Sequence, residues 1–315
     1  MIENKVLIIV GPTAVGKTEL SLKIAERLRA EIVSADSRQV YRYMDIGTAK
    51  PTADELARVR HHFIDIRDPD QYYSAGEYGR EARQCIAGLL QKKIQPVVVG
   101  GSGFYIRALV DGLFAPHFSD PAVKEKWRQR IREQGAEAVF EILRQVDPVT
   151  AGRLHVNDTQ RVVRALEVYE LAGTPISSFR KGREKPADFQ PVFVGLSRER
   201  TRLYERIEKR VEQMIKAGLV DEVKSLQEKG WGPQLNALRT VGYQEVFSFL
   251  AGEISFEEMI RLIKMNSRRY AKRQLTWFRK DERIHWLDLD QIPEKEAVEK
   301  ILQIFETENR MADSG

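Results

Sequence analysis

Residues Gly11 to Thr18 read GPTAVGKT and follow the uninterrupted apolar run Val6-Leu7-Ile8-Ile9-Val10. The string fits the phosphate-loop pattern G-x-x-x-x-G-K-[ST]. It stands between a strand-like run and the helical spacing of Leu20, Ile24 and Leu28, the context that the pattern requires. Such a loop needs a buried strand, a backbone curl that glycines at 11 and 16 permit, and a helix whose positive N-terminus faces an anion. Gly11, Pro12, Thr13, Ala14, Val15, Gly16, Lys17 and Thr18 are therefore expected to hold a di- or triphosphate group. Lys17 should reach the terminal phosphate and the Thr18 hydroxyl should ligate Mg²⁺.

The surrounding sequence extends this unit. Glu31-Ile32-Val33-Ser34-Ala35-Asp36 reads as a second strand, and Pro96-Val97-Val98-Val99 as a third that runs into Gly100-Gly101-Ser102-Gly103 and the amphipathic stretch 104–110. Continuous apolar strands alternating with helices imply a parallel sheet covered on both faces. From the helix-start signal Asp120-Pro121 to Gly173 only helical patterns occur, at 136–146 and 158–172 among others, and 179–186 reads as a solvated linker. Strand character returns at Val192-Phe193-Val194-Gly195-Leu196. The expected fold is thus an α/β phosphate-loop core with a parallel sheet (1–116), an inserted all-helical domain (117–190), and a return to the core with basic C-terminal helices (191–315). Helices are expected at 199–216, 219–228, 256–280 and 293–308, with a last strand at 284–287.

Composition narrows the function classes. The single cysteine, Cys85, permits no internal disulfide and no cysteine-built zinc site. No apolar run approaches the length of a membrane span and no leader pattern opens the chain, so a cytoplasmic protein without a membrane partner is expected. The formal net charge of +5 borders on the range of nucleic-acid binders, which makes the placement of charge decisive. His61-His62 and His155 have no spaced partner that makes a metal site and read as surface or hydrogen-bonded histidines.

Asp36 ends the second strand, where doubly wound sheets bind ligands, and is a candidate general base, Mg²⁺ ligand or turn aspartate. The strand ending Val99-Gly100-Gly101 carries no acid for Mg²⁺, and Phe63-Ile64-Asp65-Ile66-Arg67-Asp68 is a weak substitute, which counts against a motor ATPase. In 199–216, Leu203, Ile207 and Val211 form an apolar stripe beside Arg202, Arg206 and Arg210. These arginines either pair with Glu205, Glu208 and Glu212 on a solvated face or include one aimed at a pyrophosphate. In 256–280, Arg261, Lys264, Arg268 and Lys272 share a side, with Arg269 and Arg273 adjacent and Trp277-Phe278 at the end. This suits single-stranded RNA, or else an exposed helix with its aromatics in the core.

Several strings together resemble one family. GPTAVGKT, SADSRQVYRYMDIGTAKP from Ser34, HHFIDIRDP from His61, VVVGGSGFYIRAL from Val97, NDTQRVVRALEVYELAG from Asn157, LYERIEKRVEQMIKAGLVDEV from Leu203, VGYQE from Val241 and YAKRQLTWFR from Tyr270 stand in the order found in the tRNA dimethylallyltransferases, also called tRNA isopentenyltransferases, in their bacterial form. The resemblance implies transfer of a five-carbon prenyl group from dimethylallyl diphosphate to N6 of the adenosine 3′ of the anticodon. It likewise implies release of diphosphate, Mg²⁺ as the cofactor and the anticodon stem-loop of tRNA as the partner.

It further implies that Gly11 to Thr18 bind the diphosphate, that Thr18 serves Mg²⁺, and that Lys17, Thr18, Asp36 and Arg210 are catalytic. Asp36 would take the N6 proton and Arg210 would neutralise the leaving pyrophosphate. The tRNA contacts implied are Asp36, Ser37, Arg38, Gln39, Ser102, Lys124, Gln160, Arg161, Val162, Val163, Arg164, Arg239, Thr240, Val241, Gly242, Tyr243 and Gln244. A monomer is expected. Ser102 and Phe104 stand where the family more often has Thr and Leu. A phosphate loop grips two phosphates whether adenosine or a prenyl group hangs from them. By motif alone, then, the rivals are a phosphate-loop nucleoside or small-molecule kinase that binds ATP, and an RNA-binding protein whose loop only switches its conformation.

Overall fold

The computed structural model describes residues 4–113, 119–181 and 185–312. The chain divides into two compact units, one of Met1–Val110 with Ala187–Gly315, the other of Asp111–Pro186.

In the larger unit the apolar run becomes β1 (Lys5–Val10), buried throughout, which passes through the phosphate loop into α1 (Lys17–Leu28). Gly16 caps that helix at φ 117°, left-handed backbone that glycine adopts without strain, and Ala14 also stands in the left-handed region at φ 64°. There follow β2 (Ala30–Ser34), α2 (Ala53–Arg58), β3 (His61–His62), α3 (Ala75–Gln91), β4 (Gln95–Gly100) and α4 (Gly103–Val110). The two-residue β3 is too short to leave a periodicity in the sequence.

The smaller unit is helical. Its α5 (Pro121–Val146) starts where Asp120 accepts hydrogen bonds from the backbone N–H groups of Ala122 and Val123 with proline at the first position, and it bends at Gly135, whose φ is 86°. After α6 (Pro148–Ala151), α7 (Thr159–Ala172) ends on Gly173 at φ 65°. Trp127, Val139, Phe140, Leu143, Val162, Val163 and Leu166 form its core. Of the stretch expected to be a linker, residues 179–181 close a 3₁₀ turn, and 182–184 lie outside the described residues.

Back in the larger unit come β5 (Gln190–Ser197), α8 (Arg200–Lys216), α9 (Leu219–Glu228), α10 (Tyr243–Leu250), α11 (Phe256–Phe278), β6 (Ile284–Asp288) and α12 (Glu294–Ala312). The six strands are all parallel, in the order β3-β2-β4-β1-β5-β6. One face packs Tyr78, Tyr105, Val246 and Ile263, and the other packs Leu20, Ile24, Ala297 and Ile301, as strands apolar on both sides require. The chain leaves β1 for β2 and returns to insert β4 between them, so the strand order reverses beside β1. Register then fixes the site: Val10 pairs with Gly100 and Gly195, and Ser34 pairs with Val99. The segments that open at Gly11, Ala35, Gly101 and Arg198 therefore emerge at one carboxyl edge, the crevice where open α/β sheets bind ligands.

Candidate active site

Three side chains distant in sequence hold the phosphate loop. Gln274 of α11 is buried; its Oε1 accepts from Thr13 N at 2.8 Å and its Nε2 donates to Gly101 O at 2.9 Å. Arg198, just after β5, donates from Nε to Val15 O at 2.9 Å and is itself paired at 2.6 Å with Asp290, which follows β6. Arg206 of α8 donates from Nε to Ala14 O at 2.8 Å. The loop is thus held by side chains of α11, of α8 and of the segment that follows β5. Lys17 donates from Nζ to the carbonyls of Gly11 and Pro12, and burial pushes its pKa down to about 8, against the attraction of Asp36 and with help from Arg210.

Asp36 sits two residues past β2 and closes an Asx turn, its Oδ1 accepting from Arg38 N at 2.8 Å and Gln39 N at 3.4 Å. Oδ2 has no hydrogen bond among the described residues, so the turn orients the carboxylate and leaves one oxygen available. Arg210 has its Nε buried without a partner, while its Nη2 makes a long contact of 3.5 Å to Thr48 O; burial holds its pKa below the usual range despite Asp36. A desolvated guanidinium with unused donors is a strong electrostatic partner for an incoming anion.

The loop that carries Thr48 is itself anchored by Glu222 of α9. Its Oε2 accepts from Asp45 N and Ile46 N at 2.9 and 2.7 Å, and its Oε1 from Gly47 N at 3.1 Å and the Tyr243 hydroxyl at 2.6 Å. A Cβ at Gly47 would run into the Tyr243 ring, so glycine is needed for this close approach. Together these elements enclose a cavity of about 510 Å³. Its walls include Thr13, Lys17, Thr18, Asp36, Arg206 and Arg210 on the polar side and Ile207, Val211, Met214, Val241 and Ile263 on the apolar side.

A family model described as IPP transferase matches residues 39–281. The chain belongs to that family. The tRNA dimethylallyltransferase of Desulforudis audaxviator is 48% identical over 285 residues, 90% of this chain and 92% of that one. That of Geobacillus thermodenitrificans is 45% identical over 303 residues, covering 96% and 95%. Among solved structures, the tRNA isopentenylpyrophosphate transferase of Bacillus halodurans superposes with a TM-score of 0.72 at 37% identity, covering 99% of this chain and 100% of that one. A eukaryotic dimethylallyltransferase acting on tRNA superposes at 0.79 with 26% identity, covering 93% and 77%.

The α8 arginines divide. Arg206 and Arg210 turn to the phosphate loop and the cavity, and Arg202 lies 3.7 Å from Asp290. The glutamates of α8 find their partners on α11 instead, Glu212 with Lys264 at 2.6 Å and Glu208 with Arg268. Arg206 and Arg210 therefore face the phosphate loop and the cavity instead of pairing along their own helix. The same pairing neutralises Arg268 and Lys264, and Arg261 is held by Glu258, so this side of α11 carries less free charge than the sequence suggests.

The residues expected to meet tRNA are distributed unevenly. Ser37, Arg38 and Gln39 follow Asp36, and Arg38 donates to Asn236 O while Gln39 donates to Thr48 O and Ala49 O, so both also brace the cavity loops. Ser102 is half-buried, with its N–H on Ala35 O. Arg239 and Gln244 are exposed and Thr240, Val241 and Gly242 line the cavity, but Tyr243 is wholly buried, its hydroxyl committed to Glu222.

In the helical unit Gln160 and Arg161 are exposed, and Lys124 and Arg164 converge on the buried Glu167 at 3.6 and 2.7 Å. Val162 and Val163 are core residues of that unit. The side chains of Val162, Val163 and Tyr243 are thus turned away from the surface: apolar periodicity sends the first two inward and a carboxylate holds the third. Sequence reasoning misses Gln274, Glu222 and Arg198: their partners are mostly backbone atoms far away in sequence, which leave no local pattern. His61 and His62 are hydrogen-bonded, to Val59 O and Glu31.

Proposed function

We propose that this protein transfers the dimethylallyl group of dimethylallyl diphosphate to N6 of the adenosine immediately 3′ of the anticodon of tRNA, releasing diphosphate. The observation that carries the reading is the composition of one cavity. Phosphate-loop cations, the turn-held carboxylate of Asp36 and an apolar wall of five aliphatic side chains line the same space. That combination suits a diphosphate bearing a short hydrocarbon better than a nucleotide. Membership of the IPP transferase family, whose relatives are named for tRNA prenylation, supports it independently.

The backbone N–H groups at the start of α1 and the Lys17 ammonium bind the diphosphate, and Arg210 adds a buried charge beside it as negative charge builds on the leaving group. The adenine N6 lone pair attacks the allylic carbon, that carbon's bond to the diphosphate oxygen breaks, and the N6 proton passes to the free oxygen of Asp36. The general base is needed because the exocyclic amine is a weak nucleophile. The target base must leave its stack to reach the cavity, at less cost in an RNA loop than in a helix.

Among the described residues no cluster of three or more His, Cys, Asp or Glu could hold a metal; the cavity lining offers instead the Thr18 hydroxyl and the Asp36 carboxylate. That donor set fits Mg²⁺, which keeps several waters and completes its shell with substrate phosphate oxygens. Thr18 would hold the ion, and when bound it would supply further neutralisation of the diphosphate. Action as a monomer in the cytoplasm, where tRNA is found, belongs to the same proposal; no helix among the described residues is long and apolar enough to cross a membrane.

The test supplies γ-labelled ATP or dimethylallyl diphosphate separately, with the same tRNA and Mg²⁺, and follows label and adenosine mass. A five-carbon mass gain on adenosine from dimethylallyl diphosphate alone is expected. Phosphate on the acceptor with no such gain would transfer the reading to a kinase.

A further inference from the structure

α11 lines the cavity with Ile263, Ser267, Tyr270 and Gln274, a strip at helical spacing. Beside it runs a second strip at four-residue spacing, Arg269, Arg273 and Trp277, all exposed. Trp277 is 39% exposed and meets Phe104 of α4, 52% exposed, edge to face at 6.0 Å between ring centroids. Gly103 has no room for a Cβ because the Trp277 ring occupies that space, and one turn back Gln274 is bonded to both Thr13 N and Gly101 O. Two exposed aromatic rings are thereby fixed to the backbone that carries the phosphate loop and Ser102.

Cations without carboxylate partners surround them. Arg107 is exposed one turn beyond Phe104, Arg273 lies over the Tyr270 ring at 5.7 Å, and Arg269 has only a 3.5 Å contact to Asn266; none of the three forms an ion pair among the described residues. On the opposite side of α11, Lys264 and Arg268 are neutralised by α8. Free arginines beside open ring faces and edges are the combination that receives single-stranded RNA, arginine for phosphate and ring for base.

We propose that the Phe104–Trp277 pair is a stacking surface for the unpaired RNA base that adjoins the target adenosine, with Arg107, Arg269 and Arg273 taking the neighbouring phosphates. The inference rests on the function proposed above. The two strips of α11 are adjacent, so the nucleotide that meets the outer strip is the neighbour of the one that enters the cavity.

The test measures binding of the full-length protein and its Phe104→Ala variant to an anticodon stem-loop RNA, intact or made abasic on the 5′ or the 3′ side of the target adenosine. Phe104 is surface-exposed, and thermal unfolding checks that the variant is folded. Loss of one stacked base should weaken binding of the intact RNA by about 5- to 100-fold, and the effect of the mutation should shrink to less than about twofold on one of the two abasic RNAs. Arg273→Ala should lower the slope of log affinity against log salt by about one.

An equal loss on all three RNAs, or no loss on the intact one, overturns the stacking surface. Prenyl transfer by the parent protein to the same intact stem-loop is measured alongside: its absence counts against the proposed function, whereas transfer with unaltered Phe104→Ala binding counts against the stacking surface alone.

Discussion

Replacing Glu222 with Gln should loosen the loop over the cavity without altering any residue that lines it. The carboxylate accepts four hydrogen bonds, from the N–H groups of Asp45, Ile46 and Gly47 and from the Tyr243 hydroxyl. A carboxamide keeps one acceptor oxygen. If that oxygen retains Gly47 and Tyr243, the new NH₂ group faces the N–H donors of Asp45 and Ile46, and two charge-assisted bonds are lost. Such bonds contribute about 1.5–3 kcal/mol each.

Asp45 is exposed and can turn to water, which brings the net cost to roughly 2–3 kcal/mol of local loop stability. The consequence for chemistry runs through Thr48, whose carbonyl is the contact of Arg210. A guanidinium displaced by a few tenths of an ångström should forfeit about 1.4–2.7 kcal/mol of transition-state stabilisation, so single-turnover transfer should slow by about 10- to 100-fold. Thermal unfolding should fall by less than about 5 °C. Amide exchange at residues 45–48 should quicken. Transfer within twofold of the parent together with unchanged exchange would refute the chain of reasoning from Glu222 to Arg210.

Three further outcomes are expected. Arg210→Ala should slow transfer by about 10²-fold or more and affect tRNA affinity little, as the proposed contact of its free donors with the leaving diphosphate requires; an unchanged rate beside a large loss of tRNA affinity would reassign it to the RNA surface. Burial lowers the Lys17 pKa to about 8, so the ammonium is charged below that value and neutral above it. The kcat/KM for dimethylallyl diphosphate should therefore decline as pH rises through about 8, and a flat profile between about pH 7 and 10 would show that Lys17 keeps its proton throughout. Arg268→Ala removes a partly exposed ion pair with Glu208 and should cost about 0–1 kcal/mol of stability while leaving the salt dependence of tRNA binding unchanged; a slope reduced by about one would mean that Arg268 meets phosphate after all.

Which parts of this arrangement can be read from sequence follows from the range of the interactions. The phosphate loop is local: a strand, two glycines and a helix start adjoin in the chain, so Gly11 to Thr18 announce themselves, and Asp36 is legible as the residue after a short apolar strand. Continuous apolar strands likewise announce a sheet covered on both sides. The periodicity of α8 marks Arg206 and Arg210 as one face but does not say what the face meets. Local spacing suggests glutamates of the same helix, whereas Glu208 and Glu212 pair with α11. The supports of the loop are illegible because Gln274 and Arg198 lie 261 and 183 residues from the backbone atoms they hold. A motif match extends to whole stretches such as 160–164 and 239–244, yet within each stretch burial separates Val162, Val163 and Tyr243 from the residues at the surface.

The most direct test of the account is the single-turnover rate of Asp36→Asn with saturating dimethylallyl diphosphate and stem-loop RNA, beside the RNA affinity of the same variant. The carboxamide can keep the turn to Arg38 N through its oxygen but cannot accept the N6 proton, so the rate should fall by roughly 10²- to 10⁴-fold while RNA binding persists. A rate within about threefold of the parent would remove Asp36 from the role of base and, with it, the mechanism proposed for this site.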